Sequence, residues 1–300
     1  MRRFWREARW FYLFTAPATL SLLLFTLGPV IACFVISFTD WDVMAKPVFV
    51  GVENYQRILL EDELFWKSFR NTLYYTSLGV PIGLVGELML ALLLNMRVRG
   101  MSVYRTCFYL PSILPAVASS MLWLWIFNPQ FGVVNRILTF FGWPGESLPT
   151  WLSDPKLAMP SLIIMSLWGI GGGMVIFLAG LQSIDEQLYE AATLDGAGWW
   201  AKFWNVTIPQ LSPVLFFQLI MAVIGSLQAG FTQAYIMTRG GPANSTLFYV
   251  YYIYIKAFNE FQMGYASALA WILFAVILLL TVVMFRVLGR RVYYEFGVGR

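Results

Sequence analysis

The 300-residue chain contains no histidine, and charged residues make up only 12% of it. The absence of histidine excludes Ser-His-Asp and Cys-His nucleophilic sites and argues against a zinc site. The two cysteines, Cys33 and Cys107, each lie in or beside an apolar run. We expect small buried thiols at both positions and no structural disulfide. The sequence therefore predicts neither a catalytic centre nor a metal site in this chain.

Apolar residues are in excess: they account for 59% of the chain, and the mean hydropathy is +0.67. A soluble domain usually has about 45–50% apolar and ~25% charged residues. So many apolar side chains must face lipid, which predicts an all-α polytopic membrane protein with one transmembrane domain over residues 1–300. A membrane helix needs roughly 20 apolar residues. The candidate spans are 12–38, 71–96, 103–127, 157–181, 212–237 and 265–288.

The distribution of Lys and Arg predicts the orientation of these spans, because both residues are enriched in cytoplasmic segments. A cytoplasmic N-terminus places a denser set of them inside than outside, and both termini are then cytoplasmic. The basic N-terminus and the run ending at Cys33 also resemble a lipoprotein signal, but that run continues to Phe38, so we prefer a first span. The inside set is Arg2, Arg3, Arg6, Arg9, Arg97, Arg99, Arg105, Lys202, Arg286, Arg290, Arg291 and Arg300.

The segment 182–211 differs from the other segments assigned to the cytoplasm, because it is acidic. Ser183 is the expected N-cap of a short helix, with Glu186 completing a capping box. That helix should run to about Leu194 and stop at Gly196. A second amphipathic piece with Trp199, Trp200, Phe203 and Trp204 should follow and end at Pro209.

This segment exposes an apolar face that must pack against a partner. An interfacial helix on lipid headgroups is one interpretation. Its acidic residues, however, would be repelled by anionic lipid, which favours docking to a protein. The acidic residues are Asp185, Glu186, Glu190 and Asp195.

The motif Glu190-Ala191-Ala192, followed by Asp195-Gly196-Ala197 and Pro209, resembles the EAA signature of ABC-importer permeases. More specifically, the chain resembles the MalF-type permeases of the carbohydrate-uptake family. Outside the loop, the resemblance rests on Phe49-Val50-Gly51, Glu53-Asn54-Tyr55, Asn71-Thr72, Arg105 with Leu110-Pro111, and the run from Met237 to Thr246.

The resemblance implies that 182–211 is a coupling helix between spans four and five, which docks on a cytoplasmic ATPase through Glu190, Ala191, Ala192, Asp195 and Gly196. It also implies a second homologous permease in a heterodimer, two ATPase copies, an extracytoplasmic solute-binding protein and a sugar substrate, in the inner membrane of a prokaryote. The chain has no phosphate-binding loop of the type Gly-x-x-x-x-Gly-Lys-Ser/Thr. We therefore expect ATP and magnesium on the partner ATPase, no cofactor or enzymatic activity on this chain, and no nucleic-acid partner.

The fifth span carries a stripe of polar and small residues at helical spacing. Amides and small side chains give room and hydrogen bonds for a hydroxyl-rich ligand, and the resemblance implies sugar contacts at Ala222, Gly225, Ser226 and Ala229. Helix packing is the alternative interpretation. The full set of predicted path residues is Gly169, Gly172, Gln218, Ala222, Gly225, Ser226, Ala229 and Gln233.

Glycines and one aromatic residue in spans two and four allow the same two interpretations, contact with substrate or helix packing. In span four, Gly169 to Gly173 fits close helix packing, or a gap beside a stacking surface on Trp168. In span two, we assign Gly79 and Gly83 to packing only.

Glu87 in the second span is an intramembrane carboxylate, which is by default a functional candidate. It has no His, Asp or Lys partner in another span, so an interhelical hydrogen bond or cavity lining is preferred over proton coupling. The alternative functions are an ABC permease for another solute, such as an amino acid or a polyol phosphate, and an ion-coupled carrier that uses Glu87. Amino-acid permeases share the coupling loop but lack the Gly240-Gly241-Pro242 region.

Overall fold

The computed structural model describes residues 2–96, 98–289 and 292. Four of the arginines used to predict orientation, Arg97, Arg290, Arg291 and Arg300, lie outside these residues. The chain divides into two compact units, Met1–Asp62 with Ile253–Ala275, and Glu63–Tyr252 with Val276–Arg300.

The first unit contains two helices in sequence, a small antiparallel ladder and a short helix. Thr39 pairs with Phe49 and Asp40 with Val48 in the ladder. Asn54 ties the short helix to the chain before it, since its Nδ2 donates to the carbonyls of Ser37 at 3.0 Å and Thr39 at 2.9 Å. The elements are α1 (Arg2–Leu22), a π-helical turn (Leu23–Leu27), α2 (Gly28–Ile36), β1 (Thr39–Asp40), β2 (Val48–Phe49) and α3 (Glu53–Leu60).

The second unit is helical in its described residues. Its core is a cluster of buried aliphatic and aromatic side chains from three helices, which contribute Leu90, Met174, Phe177 and Leu211 among others. The elements are α4 (Glu63–Leu94), α5 (Met101–Ile113), α6 (Ala116–Ile126), α7 (Val133–Phe140), a 3₁₀ turn (Gly145–Ser147), α8 (Ala158–Leu167), α9 (Gly171–Gln182), α10 (Glu186–Leu194), α11 (Trp199–Lys202), a π-helical turn (Phe203–Thr207), α12 (Ile208–Gln228), α13 (Phe231–Gln233) and a π-helical turn (Ala234–Thr238). Towards the C-terminus follow α14 (Tyr249–Tyr254), a π-helical turn (Ile255–Asn259) and α15 (Met263–Val287). Residues Ile253–Ala275 of these elements belong to the first unit, and the others belong to the second.

Among the described residues, four helical segments are long and apolar enough to cross a membrane: Arg9–Ile36, Glu63–Leu94, Trp199–Thr238 and Met263–Val287. Two further pairs, α5 with α6 and α8 with α9, pass the same test together but bend by 99° and 43°, so the total is up to six. The six apolar stretches predicted from the sequence all coincide with these helices. Two of them, 103–127 and 157–181, each form a bent pair of helices.

The bends have local causes. Leu114 precedes Pro115 and adopts an extended conformation (ψ 136°), as a residue before proline prefers. Between α8 and α9, the amides of Trp168 and Gly169 bond three residues back instead of four. At Gly171 a side chain would collide with the Phe108 carbonyl, so only glycine allows α9 to begin this close to α5.

The fifth apolar stretch starts earlier than predicted, and the expectation that Pro209 ends the preceding helix is wrong. Trp199–Thr238 forms one span-length helical segment, and Pro209 lies in the first turn of α12. The π-helical turn Phe203–Thr207 precedes it, with the Ile208 amide bonded to the Phe203 carbonyl. A wider turn before proline and a position near a helix start both accommodate the missing N–H.

Candidate functional site

Residues 182–211, which we call the helical elbow, contain α10, and Asp185 caps its start. The Asp185 carboxylate accepts a 2.9 Å hydrogen bond from the Gln187 amide. The prediction of Ser183 as N-cap is wrong: Ser183 ends α9, and its hydroxyl donates to the Gly180 carbonyl at 2.8 Å. The reason is backbone conformation, because Asp185 is extended (ψ 126°), as an N-cap must be, whereas Ser183 is still helical.

The predicted end of α10 is confirmed. Gly196 has φ +79°, a conformation that glycine adopts without strain. The Ala197 amide then bonds back to the Ala192 carbonyl at 2.9 Å, which closes the helix and turns the chain towards α11.

The predicted docking residues lie together on α10 and the turn after it. Glu190, Ala191, Asp195 and Gly196 are exposed, and Ala192 is half-buried. Leu194 beside them is 90% exposed. Carboxylates and apolar atoms thus share an accessible surface on α10 and the turn after it.

Two side-chain hydrogen bonds join α10 to the chain that follows it. The Tyr189 and Thr207 hydroxyls lie 3.0 Å apart, and Lys202 Nζ donates to Thr193 Oγ1 at 2.7 Å. Thr207 leads directly into α12. Side chains as well as the backbone therefore link α10 to α11 and the start of α12.

A pocket with a cavity volume of about 170 Å³ lies among α4, α8 and α12. It collects five of the predicted path and intramembrane-charge residues, three of them from α12 and the residue after it. These are Gly169, Ala222, Ser226, Ala229 and Glu87. The Ser226 hydroxyl donates a 3.0 Å hydrogen bond to Thr76 Oγ1.

The other four predicted path residues lie elsewhere. Gln218 is buried, and its Nε2 lies 3.4 Å from both Glu87 Oε2 and the Gly173 carbonyl, so it joins α12 to α4 and α9. Gly172 faces Ser112, Gly225 is exposed, and Gln233 is half-buried in α13. The predicted path residues are therefore divided between the pocket, contacts between helices and an exposed helix face.

Glu87 takes part in both the roles preferred for it, an interhelical hydrogen bond and cavity lining. Gly173 makes room for it: a Cβ there would overlap the Glu87 carboxyl group. The carboxylate is thus held between a glycine of α9 and an amide of α12.

Sequence reasoning missed several pocket residues. Gly79 and Gly83 line the pocket, and a Cβ on either would meet no atom within 4 Å among the described residues, so the packing-only assignment is wrong. Tyr75 and Ser166 contribute hydroxyls. The four-residue spacing from Tyr75 through Gly79 and Gly83 to Glu87 is the signal that could have identified this face of α4.

Trp168, the candidate stacking surface, does not line this pocket. Its ring packs edge to face on Trp123, with centroids 5.9 Å apart. The cysteines also differ from expectation: both are free, but Cys33 is half-buried and Cys107 is exposed.

Two separated motifs meet in the second unit. Asn71 Nδ2 donates to the carbonyls of Asn244 at 2.8 Å and Leu247 at 3.1 Å, and the Tyr249 amide donates to Thr72 Oγ1 at 2.9 Å. The Asn71-Thr72 pair thereby anchors the end of the 237–246 run. Arg105 makes a similar local tie, donating to the Leu94 carbonyl at the end of α4.

Comparisons with known proteins agree with this architecture. The family model described as "Binding-protein-dependent transport system inner membrane component" matches residues 79–294. The chain is similar to "Probable ABC transporter permease protein YesP" of Bacillus subtilis, 40% identical over 287 residues (95% of this chain, 92% of that protein). It is also similar to the lactose transport system permease protein LacF of Rhizobium radiobacter, 36% identical over 291 residues (95% of each).

A solved structure extends the likeness to the fold. A chain of a bacterial ABC transporter involved in the import of the acidic polysaccharide alginate superposes with a TM-score of 0.83 at 24% identity, covering 96% of this chain and 99% of that one. The family match covers well over half of the chain. The chain belongs to the family of binding-protein-dependent transport system inner membrane components, the multi-pass permeases of ABC transporters.

Proposed function

We propose that this chain is a permease subunit of an ATP-driven importer that carries a sugar or oligosaccharide across the cytoplasmic membrane. The observation that carries the proposal is the pocket among α4, α8 and α12, in which hydroxyl groups and a carboxylate are interspersed with glycines and aliphatic side chains. Such a lining fits the polar and apolar faces of a sugar. Relatives named for lactose and for trehalose/maltose transport support the substrate class.

The helical elbow is proposed to receive force from a separate ATPase that binds ATP and magnesium. The support is the exposed surface of α10 with Glu190 and Asp195, together with the side-chain links from α10 to α11 and the start of α12. A carboxylate on such a surface can accept charge-assisted hydrogen bonds from a partner. Closure of the ATPases would move α10, and α12 would carry that movement into the membrane and alternate the side to which the pocket opens.

The proposed assembly contains a second homologous permease, two copies of the ATPase and an extracytoplasmic solute-binding protein. In it, the six apolar stretches all cross the membrane, and both termini and the helical elbow lie in the cytoplasm. The alginate transporter whose fold this chain shares has been solved in complex with a periplasmic protein that holds an alginate pentasaccharide. That complex supports the presence of a binding protein here.

The proposal is tested by purifying the chain from its native membrane with its partners and identifying them by mass spectrometry. Proteoliposomes of that assembly, given the binding protein outside and ATP inside, should accumulate sugar from a mixed oligosaccharide pool. The ATPase Walker A lysine variant is the matched control and should abolish accumulation. Uptake driven by an ion gradient in liposomes that contain this chain alone would contradict the proposal and indicate a secondary carrier.

A further inference from the structure

A second cavity, which we call the arginine cleft, lies where α4 and α9 end and α5 and α10 begin. Its cavity volume is about 790 Å³, which gives room for a small ligand. Its described lining shares no residue with the pocket among α4, α8 and α12. The arginine cleft is therefore a separate site at one end of the helices of the second unit.

Two arginines give the cleft its donors. Arg105 is held in place, because its Nε and Nη2 donate to the Leu94 carbonyl at 3.2 and 2.9 Å. Its Nη1 makes no hydrogen bond with the described residues, and the exposed guanidinium of Arg99 makes none either. The side-chain amide of Gln182, at the end of α9, is also exposed and without a partner among the described residues. Guanidinium groups bind phosphate oxygens through paired N–H donors, so this set of groups suits a phosphate.

The acidic residues near the cleft leave it positively charged. Glu186 is the one acidic residue in the described lining, and it already has an interaction partner within the protein. Its acidic neighbours Asp185 and Glu190 do not line the cleft. The described side chains of the lining therefore carry a net positive charge, which attracts an anion.

The surroundings of the cleft favour a lipid as the source of that anion. Met96 and Val98 line the cleft and are exposed. The apolar helix α5 begins two residues after Arg99, and it exposes large side chains such as Val103 and Phe108. At such a helix end, a phospholipid can place its phosphate on the arginines and its acyl chains along the apolar side chains. Basic pockets between membrane helices on the cytoplasmic side bind anionic headgroups in this way.

We infer that the arginine cleft binds the phosphate group of an anionic phospholipid through Arg99 and Arg105. The inference rests on the proposed importer, in which this end of the helices faces the cytoplasm. Ile184 and Tyr189 of the helical elbow line the same cleft. A bound headgroup therefore contacts the elbow as well as the ends of α4 and α9 and the start of α5.

Native mass spectrometry of the complete assembly in detergent tests the inference. The probes are phosphatidylglycerol and phosphatidylcholine with identical acyl chains, because both contain a phosphate but only phosphatidylglycerol has a net negative charge. The wild type should bind its first phosphatidylglycerol at least about fivefold more tightly than phosphatidylcholine. Arg99→Gln should weaken the binding of phosphatidylglycerol about fivefold, and Arg99→Lys, which keeps the charge, should weaken it less. Arg286→Gln is the matched control, because Arg286 is exposed at the end of α15 and does not line the cleft.

Hydrogen exchange of the same assembly locates the bound lipid. Phosphatidylglycerol should slow the exchange of backbone amides in 98–101 and 182–189 in the wild type and in Arg286→Gln. It should not slow their exchange in Arg99→Gln, and phosphatidylcholine should have no effect on them in any of these proteins.

Three results would overturn the inference. The first is equal binding of phosphatidylglycerol by the wild type and Arg99→Gln. The second is protection of the same amides by inorganic phosphate in the absence of phosphatidylglycerol, which would indicate a site for a soluble anion. The third is loss of the ATPase from the Arg99→Gln assembly, which would indicate a contact with that protein. None of these measurements uses sugar transport, so a failure of lipid binding leaves the proposed import intact, and a failure of sugar uptake contradicts the proposed function separately.

Discussion

Lys202 Nζ donates a 2.7 Å hydrogen bond to Thr193 Oγ1, which joins α11 to the last turn of α10. Thr193 Oγ1 in turn donates to the Tyr189 carbonyl at 2.6 Å, and the Tyr189 hydroxyl lies 3.0 Å from Thr207 Oγ1. These contacts link the two parts of the helical elbow that precede and follow Gly196. In the proposed importer, they make α10 and the start of α12 move together.

Replacing Thr193 by valine tests this link. Thr193→Val keeps the branched shape but removes the acceptor for Lys202, so we expect less sugar imported per ATP hydrolysed, by about two- to tenfold. Coupled measurement of uptake and ATP hydrolysis in proteoliposomes gives this ratio. Thr193→Ser retains the hydroxyl and should behave as wild type. If Thr193→Val imported as much sugar per ATP hydrolysed as the wild type, the hydrogen bond between Lys202 and Thr193 would not contribute to coupling.

Glu190 is exposed on α10, where a carboxylate can bind a partner without cost to folding. We expect Glu190→Ala to reduce uptake about tenfold or more, because charge-assisted contacts to the ATPase are lost. ATP hydrolysis should become insensitive to substrate, and the melting temperature should not change. Gln187→Ala, at another exposed position of α10, is the matched control. Normal uptake by Glu190→Ala at wild-type protein levels would count against the assigned role.

The helices of this protein could be predicted from the sequence more readily than their ends. An apolar run of about 20 residues requires lipid or protein around it, so the composition alone predicts that a membrane-spanning helix exists there. The start of α10 was predicted wrongly at Ser183, because Ser and Asp are both good N-caps and the sequence around them does not separate Ser183 from Asp185. The choice depends on where α9 ends, and that end is set by the packing of Phe177, Leu178 and Leu181 in the core.

The pocket could be predicted only in part, because periodicity identifies a helix face but not its neighbour. The predicted stripe of the fifth span does not act as one surface, since Gln218 contacts Glu87 while Ser226 lines the pocket. Proline gave a similar ambiguity: Pro115 follows a sharp bend, whereas Pro209 follows a π-helical turn and lies within a long helix. Neighbouring helices and local turn geometry decide such cases.

Filling the pocket should block transport. Ser226→Trp introduces a large ring into the space that Ser226 lines, so substrate uptake should fall to background while the assembly still forms. Size-exclusion chromatography with mass spectrometry checks assembly, and proteoliposome uptake checks transport. Phe217→Trp on the exposed side of α12 controls for the added indole and should transport normally. If Ser226→Trp imported substrate as the wild type does, the translocation path would lie along another helix face than the one that carries Ser226.

The contact between Gly173 and Glu87 gives a sharper prediction about stability. Gly173→Ala places a methyl group onto the Glu87 carboxyl group, which is the far end of a flexible side chain and must move away from Gln218, so we expect a loss of about 1 kcal/mol or less and a small decrease of the melting temperature in detergent. Removing the obstructing group should relieve the strain, so Gly173→Ala with Glu87→Ala should lose less stability than the sum of the single variants. Gly79→Ala is the matched control, because no described atom lies within 4 Å of its new methyl group and alanine favours the helix. Strict additivity in the double variant would show that the two residues do not contact each other as described.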